Sequence, residues 1–272
     1  LSSFHVPYLS EILMKTTFLM LVILSILGGC AHFPIGSETE NAIEADPIKL
    51  ARSLAEKGAV RPALEVLRKA AMANPLDHTL KAELAWLYYK SEEYERAHES
   101  FAGLLASGHR SCFILTGAGV SLIKLNEHAK AVLVFEECLA LESSNKEARN
   151  GLAFAATWIG NYKRAQQLYF KLILDEPENL HYRSNYAVSL ILDGKYRAAV
   201  QELSGWISHP RSTTQHRQNL AFSYAMLGNW SAARSMSERD LPPSLVEQNM
   251  SFYRYLHRSG NRGEVRSALL AQ

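Results

Sequence analysis

Ile114–Ser121 reads ILTGAGVS. Two glycines flanking one alanine suit a loop whose bare backbone amides approach a phosphate group. The same small residues suit a helix that must lie close against a neighbour. The first reading makes the chain an enzyme, and the second makes this stretch one brick in a larger stack. The residues on either side decide between them.

Cut from Glu44 at intervals of 34 residues, the chain falls into blocks that start at 44, 78, 112, 146, 180 and 214. The twentieth residue of each block is Ala63, Ala97, Ala131, Ala165, Ala199 and Ala233, alanine in all six. The eighth is Ala51, Ala85, Gly119, Ala153, Ala187 and Ala221, small every time. Position 24 is bulky in five blocks (Leu67, Phe101, Phe135, Tyr169, Leu203) and Ser237 in the last. Position 15 is glycine in four blocks, Gly58, Gly160, Gly194 and Gly228, as expected where a helix ends in a left-handed cap. A period of this length marks a stacked-repeat architecture, in which each block is one supersecondary unit.

The pattern resembles the tetratricopeptide repeat (TPR) over residues 44–247, with no insertion. The resemblance implies an all-α fold: a right-handed α-solenoid of about six helix pairs over 44–240, closed by C-terminal capping helices in 241–272. Small residues at positions 8 and 20 let paired helices approach, and positions 7, 11 and 24 fill the layer between neighbours. Gly119 then takes the small eighth position of the third block, with Gly117 on the same helix. LTGAGVS also resembles the phosphate-contacting stretch of the sirtuin family, which continues with Gly-Ile-Pro-Asp-Phe-Arg. Here the chain continues LIKLNEHAKAV, and no apolar runs of a parallel sheet flank it. The glycine pair belongs to the repeat, and no nucleotide cofactor is expected.

With 47% hydrophobic and 21% charged residues, the composition is that of an ordinary globular domain, and a net charge of +2 picks out no nucleic acid. From Met14 the chain reads MKTTFLMLVILSILGGC, with Lys15 followed by an apolar run, Phe18 to Leu27, too short to span a bilayer. Leu27-Gly28-Gly29-Cys30 resembles the lipobox of bacterial lipoproteins, which implies acylation at Cys30. On this reading residues 1–13 are a gene-call extension, 14–29 a signal peptide and 30–43 a lipidated tether. Ala31 gives no inner-membrane retention signal by resemblance to enteric lipoproteins, so a periplasm-facing outer-membrane location is expected.

Catalytic patterns are missing: the ten histidines are scattered, no metal-ligand spacing is present, and pairs such as Glu92-Glu93 and Glu136-Glu137 read as solvated helix faces. No enzymatic activity, cofactor or metal is expected. Cys112 and Cys138 fall at positions 1 and 27 of one block, so antiparallel helices bring them near enough for a disulfide. Two reduced, buried thiols acting as small hydrophobes are the preferred reading, with the bridge left open.

By the same resemblance, the first helix of each pair lines an inner groove with positions 2, 5, 9, 12 and 13. These include Trp86, Tyr89, Lys90, Phe113, Val120, Ile123, Lys124, Asn150, Phe154, Trp158, Val188, Leu192, Phe222 and Met226. Such a surface suits an apolar segment of a client protein. The family's carboxylate clamp, Lys and Asn at positions 5 and 9, is replaced here by pairs such as Ala82/Trp86 and Asn150/Phe154.

Residues 219–256 further resemble the C-terminal end of the TadD family, TPR lipoproteins of the tight-adherence (Flp-type) pilus machine. Asn219, Leu220, Ala221, Asp240, Leu241, Pro243, Asn249 and Tyr253 carry that match. It implies a scaffold whose client is a secretin or another pilus-assembly component. Pilotin-like type IV pilus lipoproteins and adaptors for peptidoglycan hydrolases share the layout and remain alternatives.

Overall fold

Asp77, Ser111, Asn145, Asn179 and Thr213 recur every 34 residues, and each stands directly before a helix. The first four accept backbone N–H groups of the turn that follows, for example Asp77 Oδ1 from Thr79 N at 2.8 Å and Asn145 Oδ1 from Ala148 N at 2.9 Å. A cap of this kind contributes about 1 kcal/mol. The repeat thus carries its own start signal, one that the alanine pattern alone does not show.

The computed structural model describes residues 46–261, 263–265 and 267. The expected extension, signal peptide, acylated Cys30 and tether lie outside the described residues. Within them the chain forms α1 (Pro47–Glu56), α2 (Val60–Ala73), α3 (His78–Lys90), α4 (Tyr94–Ala106), α5 (Cys112–Lys124), α6 (His128–Leu141) and α7 (Lys146–Trp158). There follow α8 (Tyr162–Asp175), α9 (Leu180–Leu192), α10 (Tyr196–Ser204), α11 (Thr214–Met226), α12 (Trp230–Ser237) and α13 (Pro243–Ser259). Six helix pairs are followed by one capping helix, and no strand occurs among the described residues. From α3 onward the first helices start 34 residues apart, and so do all six second helices.

Between the helices of each pair, position 15 is left-handed in all six blocks. Four are the glycines, with φ from 75° to 86°; the other two are Glu92 (φ 64°) and Asn126 (φ 61°). Asparagine tolerates this region, whereas glutamate places its Cβ against a carbonyl at a cost of about 1–2 kcal/mol. The Glu92 backbone N–H donates to Tyr89 O at 3.1 Å, as the turn requires, but its side chain makes no hydrogen bond or ion pair among the described residues that would offset the strain. Glu92→Gly is therefore expected to stabilise the chain by about 0.5–1 kcal/mol, after allowance for glycine's greater unfolded entropy. Asn126→Gly should gain less. Urea unfolding of the two variants beside wild type checks the order.

The six position-20 alanines are all 0% exposed. Phe101, Phe135 and Tyr169 at position 24 are equally enclosed. Each helix packs on the next in sequence, and first helices also meet from block to block (α1 with α3, through to α9 with α11). Second helices do not pack on one another to that extent, so the row of first helices is tighter and forms the inner side of the curve.

Arginine at position 4 pins three inter-block turns. Arg149 donates to Ser143 O (2.8 Å) and Asp175 (3.0 Å), and Arg183 to Pro177 O (2.6 Å) and Glu202 (2.5 Å). Arg217 donates to Ser212 O (3.3 Å) and grips Asp240 through Nε (2.6 Å) and Nη2. This last contact holds the Asp240 carboxyl below the usual carboxylate range and fixes the turn into α13. The Asp240-Leu241 segment therefore has a structural task. Past Gly260, helical backbone resumes at residues 263–265.

The cysteines correct the preferred sequence reading. Cys112 at the start of α5 and Cys138 in the last turn of α6 are bonded, with Sγ atoms 2.09 Å and Cα atoms 4.8 Å apart. Both are buried, at 2% and 0% exposure. The bridge ties the two helices of the central block at one end.

Candidate interaction groove

The inner row of first helices presents two aromatic groups. In the first, from α3, α4 and α5, the Trp86 ring lies 5.7 Å from both Tyr89 and Phe113, and Tyr89 lies 5.6 Å from Tyr94. Lys124, at the end of α5, sets its Nζ 5.3 Å over the Tyr94 ring. In the second, from α6 and α7, Phe154 and Trp158 are 5.6 Å apart, and His128 stacks on Trp158 at 5.2 Å. Burial holds the His128 pKa below its ordinary value, which keeps the ring neutral and suited to stacking. Helical spacing causes the clustering: positions 9, 12 and 13 fall on one face, and the second helix of the preceding block starts beside position 13.

Val120 and Ile123 on α5 lie between these groups in sequence and are half-buried. Phe113 is 43% exposed, and Lys90 and Lys124 are exposed. Trp86, Tyr89, Asn150, Phe154, Trp158 and Val188 are half-buried, each presenting part of its side chain to solvent. Blocks two to four thus expose an aromatic and aliphatic floor with a few polar groups at its edge.

Block six differs from the expectation. Phe222 is only 4% exposed; its ring meets Tyr253 of α13 at 5.3 Å and Tyr196 at 6.4 Å. Met226 is buried as well, and so is Leu192 of block five. Phe222 and Met226 pack with Val246, Met250, Tyr253 and Leu256 of α13 in one apolar cluster. Phe222 is therefore a seat for the capping helix and not part of an open groove. On block six, α13 covers the apolar face that a following block covers elsewhere in the stack.

The glycines of ILTGAGVS have a packing cause. A Cβ on Gly117 would come within 2.2 Å of the Phe101 ring, and one on Gly119 within 2.5 Å of the Phe135 ring. Gly151 meets the same Phe135 from α7, at 2.3 Å. Each position-24 phenylalanine needs a bare backbone opposite it. The stretch is helix α5, and it cradles rings, not phosphates.

Carboxylates Glu136 and Glu137 are held in ion pairs by Arg164 and Arg110. No group of three metal-binding side chains gathers among the described residues.

Comparison with known proteins agrees with this geometry. The family profile described as tetratricopeptide repeat matches residues 122–187, from the end of α5 into α9. The fold is a tetratricopeptide-repeat solenoid. Among curated proteins, the peroxisomal targeting signal receptor of Kluyveromyces lactis is 29% identical over 106 residues, 39% of this chain. The match spans 19% of that receptor's length. Two solved structures share the fold over most of their length. PilW, described as a widely conserved type IV pilus biogenesis factor, superposes with a TM-score of 0.65 at 18% identity, covering 75% of this chain and 93% of its own. PilF of Pseudomonas aeruginosa gives 0.63 at 19% identity, covering 79% and 99%. At such identities the likeness concerns the TPR fold.

Proposed function

We propose that this TPR solenoid is a non-catalytic assembly scaffold that holds a segment of a client protein against the first-helix face of blocks two to four. The carrying observation is the contrast between that face, where aromatic side chains stay partly open, and block six, where α13 covers the same positions. Sealing the floor of blocks two to four would remove apolar surface from water, and aromatic side chains dominate such contacts.

The client we favour is a secretin or another component of a tight-adherence pilus apparatus. The TadD-like C-terminal segment supports this, as does the fold likeness to PilF and PilW, which equally fits the pilotin-like alternative. The scaffold would be attached to the outer membrane through acylated Cys30, which raises its effective concentration near an envelope client. The Cys112–Cys138 bridge supports an extracytoplasmic site, because disulfides persist in oxidising compartments.

Capture from detergent-solubilised envelopes tests the proposal. The wild-type chain is expected to recover a pilus-assembly component, and Trp86→Ala/Phe154→Ala to recover at least fivefold less of it. Thermal melts of both proteins establish that the variant is folded. Equal recovery by the two would rule the groove out, and recovery of cell-wall hydrolases instead would favour the adaptor reading.

A further inference from the structure

A cleft of about 590 Å³ opens where blocks one, two and three meet at the N-terminal ends of α3 and α5. Its apolar wall is Ala82, Phe113 and Ile114, and Phe113 joins it to the aromatic floor through Trp86. The cleft is also lined by two guanidinium groups, Arg52 from α1 and Arg110 in the connection before α5, and by the His78 and His109 rings, which lie 3.4 Å apart.

The one carboxylate in this cleft, Glu83, is already engaged. It accepts Arg52 Nε at 3.2 Å and Arg52 Nη2, and its side chain is 9% exposed. A guanidinium has five N–H groups, so Arg52 keeps its Nη1 donors for a ligand. Arg110 gives Nη1 to Glu137 and keeps the rest, with 52% of its side chain exposed.

We infer that this cleft binds an internal client segment in which an aromatic or aliphatic residue is flanked by Asp or Glu, the apolar side chain seated on Phe113 and Ile114 and the carboxylate held by Arg52 and Arg110. The inference rests on the proposed client-binding groove and adds the chemistry of its occupant. The planar fork of arginine matches a carboxylate, and exposed arginines with spare donors bind one without a new buried charge. A side-chain carboxylate is specified because the clamp residues for a chain terminus are absent at positions 5 and 9.

Selection from a displayed random-peptide library on the intact chain tests this. Enriched sequences are resynthesised with amidated C-termini, so that only side-chain carboxylates remain. They are expected to carry Asp or Glu within two residues of an apolar anchor. Affinity is expected to fall at least tenfold on Arg110→Glu and on Phe113→Ser, and at least fivefold between low and 0.5 M salt, roughly the range over which the screening length shrinks below 5 Å. Both substitutions are at partly exposed sites, and the salt arm needs no variant. Enrichment without acidic residues, failure to enrich any peptide, or affinity indifferent to Arg110 would each overturn the inference. Client capture lost in Trp86→Ala/Phe154→Ala, with peptides indifferent to Arg110, would leave the groove standing and remove only the cleft.

Discussion

Cys112→Ala/Cys138→Ala is expected to lower the unfolding free energy by about 3 kcal/mol. The bridge closes a loop with a sequence separation of 26, and releasing such a loop in the unfolded chain corresponds to about 3.5 kcal/mol in the chain-entropy account. Its position adds to the consequence. α5 contains two glycines along with Thr116, Val120 and Ser121, residues that favour a helix little. The clamped helix is thus a poor helix former, and it carries Phe113 of the first aromatic group. In a solenoid, where each block touches only its neighbours, loosening the central block uncouples the two ends. Unfolding in guanidinium, with and without a reducing agent, measures the effect. A double variant as stable as the oxidised wild type would remove the bridge from the account of this fold.

A second large effect is expected at Phe135. Its ring is 0% exposed and pinched between Gly119 of α5 and Gly151 of α7. Alanine at either site raises helix propensity by about 1 kcal/mol, yet its Cβ would fall 2.5 Å or 2.3 Å from the ring. A ring free on one side could swing away; this one would meet the second glycine's helix. Overpacking should therefore win, and Gly119→Ala/Gly151→Ala is expected to cost about 3 kcal/mol in all. Phe135→Leu should reverse sign with background. In wild type it leaves a void and destabilises by about 1–2 kcal/mol, whereas in the double-alanine chain it relieves the clash and restores stability. Additive effects in that cycle would contradict the ring-in-glycine packing.

The repeat was legible because its marks are local and recur. Six alanines at one spacing, four glycines at another and bulky residues at a third are each demanded by backbone geometry that is the same in every block. The third and second blocks break the glycine rule with Asn126 and Glu92, and the backbone still takes the left-handed turn there. The stack imposes it. The N-cap residues before α3, α5, α7, α9 and α11 share that spacing, since Asp, Ser, Asn and Thr before an apolar run signal a helix start, although the reading of the repeat did not draw on them.

The site was legible only in part. Register within a helix put Trp86, Phe154 and Trp158 on one face of their first helices, and the TPR resemblance implied that this face lines the groove. Neither could say that Phe222, at the same position as Trp86 and Phe154, is covered by α13. That depends on where a segment outside the repeat comes to rest. Likewise, His78 and His109 meet, Arg52 crosses to Glu83, and Cys112 bonds Cys138, although none of these pairs is adjacent in the chain.

The amino-acid sequence by itself determined the helix pairs, their number and the face each residue shares with its helical neighbours, since these follow from short-range backbone and side-chain preferences repeated at one interval. Which inner positions stay open, which cysteines join and which charges meet over the cleft were decided by the tertiary structure alone. Those outcomes come from packing between segments far apart in the chain, where the partner, not the local pattern, sets what each side chain touches.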